Sequence, residues 1–472
     1  MKKDYIVIFA LALILRIILG LLIFYYFGEE GFITKDAAGH YLPLAKNFAE
    51  GNGFTLDGVN PYAYKAPGYP IFLAFFYKFF GVFWPAIIVQ IILSSFLAVL
   101  IFKISATIGL GKKISWLAGI LTAAGPHLIY YGNVYVTESL FAFLLLFGIF
   151  FFIKFLKEIS LKYALLSGFF LGIDTLVKVS TQFLPLAFLP FFVFLIYRSS
   201  KTVRKKLIIY CLFFLFIFAV VLTPLAIRNY IRFGTFSLNS QSAYLLYRYE
   251  GTSVVSVRDN ISYGEAEQIA RRELRSGAGL ENIPENKLED LKYAPIIYKK
   301  TVDLMKSNIG AVIKVELVNI FSFWTHNNYA YLLSIYKIVS PPFLANPPSY
   351  LLARGEWLKA FSETVKVIFN PYYLIAFLSR IFWILIALLS IFGFIYSLLN
   401  RNLDYHKRVL ILLLAFTIFY YNLTVAPLGF GMEARLRYHV EPFMFLLSSF
   451  GFVTLYNLIR NWYISRRSKM IS

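Results

Sequence analysis

The stretch "YIVIFALALILRIILGLLIFYYF", residues 5–27, decides the fold. It is long enough to cross a bilayer, whose hydrocarbon core takes about 20 apolar residues of helix. It begins beside Lys2 and Lys3, runs well past the length of a signal-peptide core, and has no small-residue cleavage site before the loop that follows. We therefore expect a retained membrane anchor.

Further stretches of the same kind lie at 84–108, 140–156, 207–227, 373–399 and 409–426. The whole chain of 472 residues is 59% hydrophobic and 15% charged, with a mean hydropathy of +0.67. That composition excludes an ordinary soluble globule and predicts an all-α polytopic membrane protein. A transmembrane barrel would show alternating segments of about ten residues; the sequence has no such pattern.

The formal net charge of +21 would suggest nucleic acid in a soluble protein. Here the basic clusters at 112–113, 154–162, 198–206, 401–408 and 460–469 fall between apolar spans. Placed together on the cytoplasmic side they satisfy the positive-inside rule, so the charge reports topology and no nucleic-acid partner is expected. Threading from a cytoplasmic N-terminus gives about ten spans: 5–27, 84–108, 114–131, 138–157, 161–177, 182–198, 207–227, 373–399, 409–427 and 442–461. The stretch 309–324 is left as either interfacial or dipping into the bilayer. The expected organisation is an N-terminal transmembrane module, 1–227, holding a first outer loop, 28–83; an extracytoplasmic segment, 228–372; and C-terminal spans with a basic tail, 373–472. The one cysteine, Cys211, lies in an apolar span and is expected to pack there, since a free cysteine behaves as a small buried hydrophobe.

On this threading the unusual polar groups converge on the outer face: Asp36, Lys65, Glu138, Lys178, Arg228, Arg435 and Arg437. The first outer loop holds two short helices, one from Asp36 to a stop at Gly51 and one over 69–80. The second is too short to span and is expected to lie along the membrane surface. Asp36 suits a helix N-cap, and a functional carboxylate role is compatible with that. His40 shares its helix face four residues on, but two ligands make a weak metal site. Glu138 opens a helix where a charge costs a few kcal/mol, roughly, unless it faces a polar cavity; a first-turn carboxylate favoured by the helix dipole is the alternative. Asp174 and Lys178, four apart, read as a neutralising pair. The outer arginines read either as headgroup contacts or as a phosphate cradle, for which guanidinium geometry is well suited.

The landmarks "KDAAGHYLPLAKNFAEGNGF", "AYKAPGYPIFLAFFYKFFG", "YVTESLFAFLLL", "LGIDTLVKVS", "TPLAIRNYIRFGTF" and "EARLRYHVEPFMFLL" together resemble the GT-C superfamily of polyprenyl-phosphate-sugar-dependent glycosyltransferases. Within that superfamily the likeness is to relatives of protein O-mannosyltransferases and of the lipid A aminoarabinose transferase. The resemblance implies a GT-C-like helix bundle in the plasma membrane with its active site on the extracytoplasmic side. It implies Asp36 as the catalytic carboxylate, Glu138 assisting it, and Lys65, Lys178 and Arg228 approaching the donor phosphate, with Arg435 and Arg437 as further cations. His40, Tyr41, Tyr64 and Tyr69 would contact sugar or acceptor, although aromatic belts at the interface explain the tyrosines equally. Asp36 is followed by Ala37 where protein mannosyltransferases carry an adjacent Asp-Glu pair. There is no DxD motif, so no cofactor is expected to be required, and a divalent metal is left open without a DxD motif to support it. The expected partners are a polyprenyl-phosphate-linked sugar, a lipid, glycan or protein acceptor, and membrane lipids. With no large C-terminal domain expected, the acceptor would be recognised by 228–372 or by the bundle. A lipid-substrate transporter or flippase, or an oligosaccharide polymerase or ligase, are the rival readings.

Overall fold

The structure, a computed structural model, describes residues 2–340, 348–425, 429 and 434–471. Among these there are helices and no strands, apart from one antiparallel bridge between Thr55 and Pro61. The protein is an all-α, multi-pass membrane protein. Eight helical stretches are long and apolar enough to cross a bilayer: Lys2–Phe32, Trp84–Ile108, Glu138–Glu158, Val179–Arg198, Lys201–Phe233, Pro371–Leu399, Tyr405–Thr424 and Ala434–Arg466. They keep rows of apolar side chains exposed, such as Ile14, Ile18, Leu21 and Leu22 on the first helix. Such rows fit lipid as their solvent.

The two other expected spans form shorter helices, Lys112–Ala124 and Leu161–Val177. The first of them stops at Gly125, and Pro126 starts a separate turn, Pro126–Tyr130. A helix end buried in a bundle leaves carbonyls without partners. Arg16, the single charge of the opening stretch, supplies donors: Nη1 donates to Ala123 O at 3.0 Å and to Ala12 O at 2.9 Å, and Nε donates to Ser94 Oγ at 2.8 Å. A fully buried cation thus caps a broken helix, at the end where the helix dipole is negative. The second short helix packs closely on Lys201–Phe233, because a Cβ at Gly168 would lie 2.4 Å from Phe214 O.

Beyond Tyr130 the chain turns toward Glu138, and residues 131–137 of this turn are buried. Gln90 Nε2 donates to Val134 O at 2.9 Å, and Tyr135 N donates to Phe32 O at 2.9 Å, which fixes the approach to Glu138. The expected boundary at 227/228 also shifts. Helix Lys201–Phe233 continues through it and stops at Gly234, whose left-handed backbone (φ 73°) terminates helices readily. Arg228 therefore lies within that helix, near its end.

The two short helices expected in the first outer loop are Leu42–Ala49, preceded by a π-helical turn at Ala37–Tyr41, and Gly68–Phe80. In the outer segment, "GEAEQIARRELRSG" forms helix Tyr263–Arg275. Ser262 and Glu265 make a capping box at its start, and Ala266, Ala270 and Leu274 are buried. Stretch 309–324 is helix Ile309–Thr325, which buries Val312, Val315, Asn319 and Phe323 and exposes Ile309, Ile313, Leu317 and Phe321. The prolines of "PPFLANPPSY", residues 341–350, predict a loop that cannot be regular helix throughout; it lies outside the described residues up to 347, and a short helix begins at Pro348. Cys211 is buried.

Candidate active site

Thr34 prepares the site. Its Oγ accepts from Ala37 N at 3.2 Å and donates to Tyr135 O at 3.1 Å, so Thr34 caps the first loop helix and ties it to the segment before Glu138. Asp36, expected as a cap, makes no capping bond and lies in helical conformation. Its carboxylate is left for tertiary partners. Thr34→Ala is therefore expected to remove about 1 kcal/mol of local stability, read as roughly fivefold faster hydrogen exchange at the Ala37 and Ala38 amides. Unchanged exchange would move the cap elsewhere.

Asp36 Oδ1 accepts from Lys65 Nζ at 3.2 Å and Oδ2 from Arg435 Nη1 at 2.9 Å. Arg435 Nε also donates to Glu138 Oε1 at 2.5 Å, and Lys178 Nζ lies 3.6 Å from the same oxygen. Thr137 Oγ1 donates to Glu138 Oε2 at 3.2 Å. Five charged residues from five places in the chain thus form one network of two carboxylates and three cations. All sit at the bundle end opposite the basic loops.

The local structure explains each position. Gly68 meets the end of helix Leu161–Val177 so closely that a Cβ would lie 2.7 Å from Leu176 O. That contact brings Lys65, three residues earlier, beside the cluster that Lys178 joins. Lys65 is buried, with Tyr64 and Tyr41 rings 5.2 and 5.6 Å from its ammonium. Lys178 leaves its helix in extended conformation (φ −148°), so the spacing of four no longer pairs it with Asp174. Asp174 Oδ2 accepts from Thr181 Oγ1 at 2.7 Å instead, and the expected Asp174–Lys178 pair is corrected to Glu138–Lys178.

Burial would raise the Asp36 carboxyl, but the adjacent charges of Arg435 and Lys65 outweigh it and hold Asp36 well below the usual carboxylate range. Because the folded value lies below the unfolded one, these pairs stabilise the fold above the ordinary carboxylate range. That contribution is lost progressively as pH falls from the ordinary carboxylate range down through the folded value. Lys65 shifts downward through burial. His40 is lowered to about 4 by burial and the Lys65 charge, and its Nδ1 lies at hydrogen-bond distance, 2.7 Å, from Tyr62 OH. Among the described residues no three His, Cys, Asp or Glu side chains are grouped to hold a metal.

Other expected site residues fall elsewhere. Tyr41 is buried against Tyr69, which is fully buried and donates to Gln90 Oε1 at 2.5 Å, so neither offers a free ring face to a sugar. Tyr64 is wedged between His40 and Tyr244. Arg228 is not bonded to the cluster; its guanidinium lies 5.8 Å from the Phe54 ring of the first loop and 5.3 Å from Phe233. Arg437 is fully buried in a separate network: Nη1 donates to Phe323 O at 2.5 Å, Nη2 to His326 O at 2.6 Å, and Nε to Glu441 Oε1 at 3.3 Å. The expectation that it faces donor phosphate is corrected. Sequence reading missed Thr34, Tyr62 and Arg16. Arg16 carried a usable signal as a lone charge in an apolar run; the others carried none.

Residues 64–225 match the profile of the dolichyl-phosphate-mannose-protein mannosyltransferase family, about a third of the chain. The match includes Lys65, Glu138 and Lys178 and leaves out Asp36 and Arg435. Among solved structures, the archaeal oligosaccharyltransferase AglB from Archaeoglobus fulgidus, in complex with an inhibitory peptide and a dolichol-phosphate, aligns at 13% identity with a TM-score of 0.49. The alignment covers 99% of this chain and 52% of that one, so this chain spans about half the length of AglB. No curated protein matches.

Proposed function

We propose that the protein is an integral membrane glycosyltransferase that moves a sugar from a polyprenyl-phosphate donor to a lipid, glycan or protein acceptor at the extracytoplasmic face of the plasma membrane. The observation that carries this reading is the cluster of Asp36 and Glu138 with Lys65, Lys178 and Arg435, at one end of the bundle beside helices Leu42–Ala49 and Gly68–Phe80. The family match over 64–225 supports it.

In the proposed reaction Asp36 takes the proton of an acceptor hydroxyl, whose oxygen attacks the anomeric carbon. The bond from that carbon to the phosphate oxygen breaks, and the phosphate leaves with the electron pair. Lys65, Lys178 and Arg435 stabilise the charge that develops there, usually the largest catalytic contribution. Glu138 orients the cations and the sugar. In the resting cluster both Asp36 oxygens are occupied by cations, which makes it a poor base. A donor phosphate competes for Lys65 and Arg435, frees an Asp36 oxygen and raises its basicity. The reading has no step through a metal.

The test is to incubate the purified protein, in lipid, with a panel of labelled polyprenyl-phosphate sugars and candidate acceptors. Loss of label from at least one donor into a glycosylated product is expected; donor translocation across vesicles without any transfer would sink the reading. Sidedness has its own check. With Cys211 replaced, a cysteine at Gly58 is expected to react with an impermeant thiol reagent from outside and one at Ser199 only from inside. Outside labelling at Ser199 would overturn the topology.

A further inference from the structure

Arg437, Glu441 and His127 form a buried circuit that the proposed reaction does not use. Glu441 Oε1 lies 2.7 Å from His127 Nδ1 and 3.3 Å from Arg437 Nε. Asn328 N donates to His127 Nε2 at 3.4 Å, which assigns the ring proton to Nδ1 and makes that nitrogen the donor to Glu441. Asn328 Oδ1 in turn accepts from Ala434 N at 3.4 Å. Arg437 is further held by Phe323 O and His326 O, and its guanidinium lies 3.8 Å over the Trp383 ring.

The circuit grips both ends of the stretch Ala434–Val440, and Arg435 sits inside it. That stretch is a 3₁₀ helix with three residues per turn, so positions 435 and 437 point to different sides. Arg435 reaches the catalytic carboxylates while Arg437 reaches the outer segment. Arg437, Glu441 and His127 make no bond to Asp36 or Glu138 among the described residues. A buried ion pair adds little net stability over a neutral pair of similar shape, because desolvation offsets the attraction. What such a network can do is fix geometry.

We propose that Arg437, backed by Glu441 and His127, is a positioning residue that sets Arg435 against Asp36 and Glu138 and ties that placement to the outer segment around Phe323–Asn328. This rests on Arg435 acting on the donor phosphate, which Arg435→Gln tests by itself.

The experiment is a double-mutant cycle on the full-length protein, read as kcat and donor KM with thermal stability alongside. Arg437→Met alone leaves the Glu441 charge unpaired and risks misfolding, so the working variant combines Arg437→Met with Glu441→Gln. The glutamine carbonyl still accepts from His127. Its melting temperature is expected to fall, because Phe323 O and His326 O lose their Arg437 donors, so kinetics are read well below it. There kcat is expected to drop at least tenfold, with donor KM changing less than kcat. In an Arg435→Gln background the same pair is expected to cost less than twofold more, because the group it positions is gone. Multiplication of the two effects, or wild-type kcat in the charge-free pair, would overturn the proposal. A silent Arg435→Gln would instead remove the reading beneath it.

Discussion

Asp36→Asn is expected to abolish detectable sugar transfer, a loss on the order of 10²–10⁴-fold in turnover, in protein that still folds and inserts. The amide keeps the shape of the carboxylate and can still accept a hydrogen bond from Arg435. It cannot take a proton from an acceptor hydroxyl. Capping does not complicate the result, because Thr34 holds that role and Asp36 makes no capping bond. Loss of the charge also leaves Lys65 without its ion pair, so donor binding is measured separately with radiolabelled donor. Retention of more than about a tenth of wild-type turnover at equal donor occupancy would remove Asp36 as the base and leave Glu138 as the next candidate.

Arg435→Gln is expected to lower kcat by roughly 10²–10³-fold, the cost typical of removing one preorganised donor from a site where charge develops. Among the described residues no other side chain bonds both carboxylates: Arg435 bonds Asp36 through Nη1 and Glu138 through Nε. Without it, Asp36 is held down by Lys65 only and its carboxyl rises toward the ordinary range, so acid inactivation of the variant is expected to begin at higher pH than in the wild type. Arg435→Lys is expected to recover only part of the rate, because a single ammonium cannot reproduce the planar two-sided fork. The observation that would sink this role is Arg435→Gln within threefold of wild-type kcat, with the same pH profile.

Much of the architecture was legible because a bilayer imposes length and polarity on each span. Hydropathy located all eight long membrane-crossing stretches, and the basic loops placed Asp36, Lys65, Glu138 and Lys178 at one end of the bundle. The misses have physical causes. The break after Ala124 falls at Gly125-Pro126, a local stop signal that apolar length masked, and the Arg16 bond to Ala123 O, 107 residues away, is a contact no local pattern shows. Asp174 and Lys178 have helical pair spacing, but the helix ends at Val177 and the lysine swings to Glu138. Arg435 and Arg437 look equivalent as sequence, yet a 3₁₀ turn sends them to different neighbours. Which of Thr34 and Asp36 caps the loop helix was decided by the cations that claimed Asp36. Tyr41 and Tyr69 read as sugar platforms from their position, whereas the packing of the loop helices buries both.

The count of charges in the cluster bears on how a reaction cycle would end. Three cations facing two carboxylates leave one unit of positive charge when all five are ionised, which matches the single negative charge of a sugar-linked phosphate diester. Transfer turns that diester into a monoester carrying up to two. The spent lipid would then hold the pocket more strongly than the fresh one, and turnover would stall if nothing competed for the cations. Asp36 and Glu138 are tethered competitors for those cations at high local concentration. Re-forming their bonds to Lys65, Lys178 and Arg435 would expel the spent carrier and return the pocket to the closed arrangement seen here.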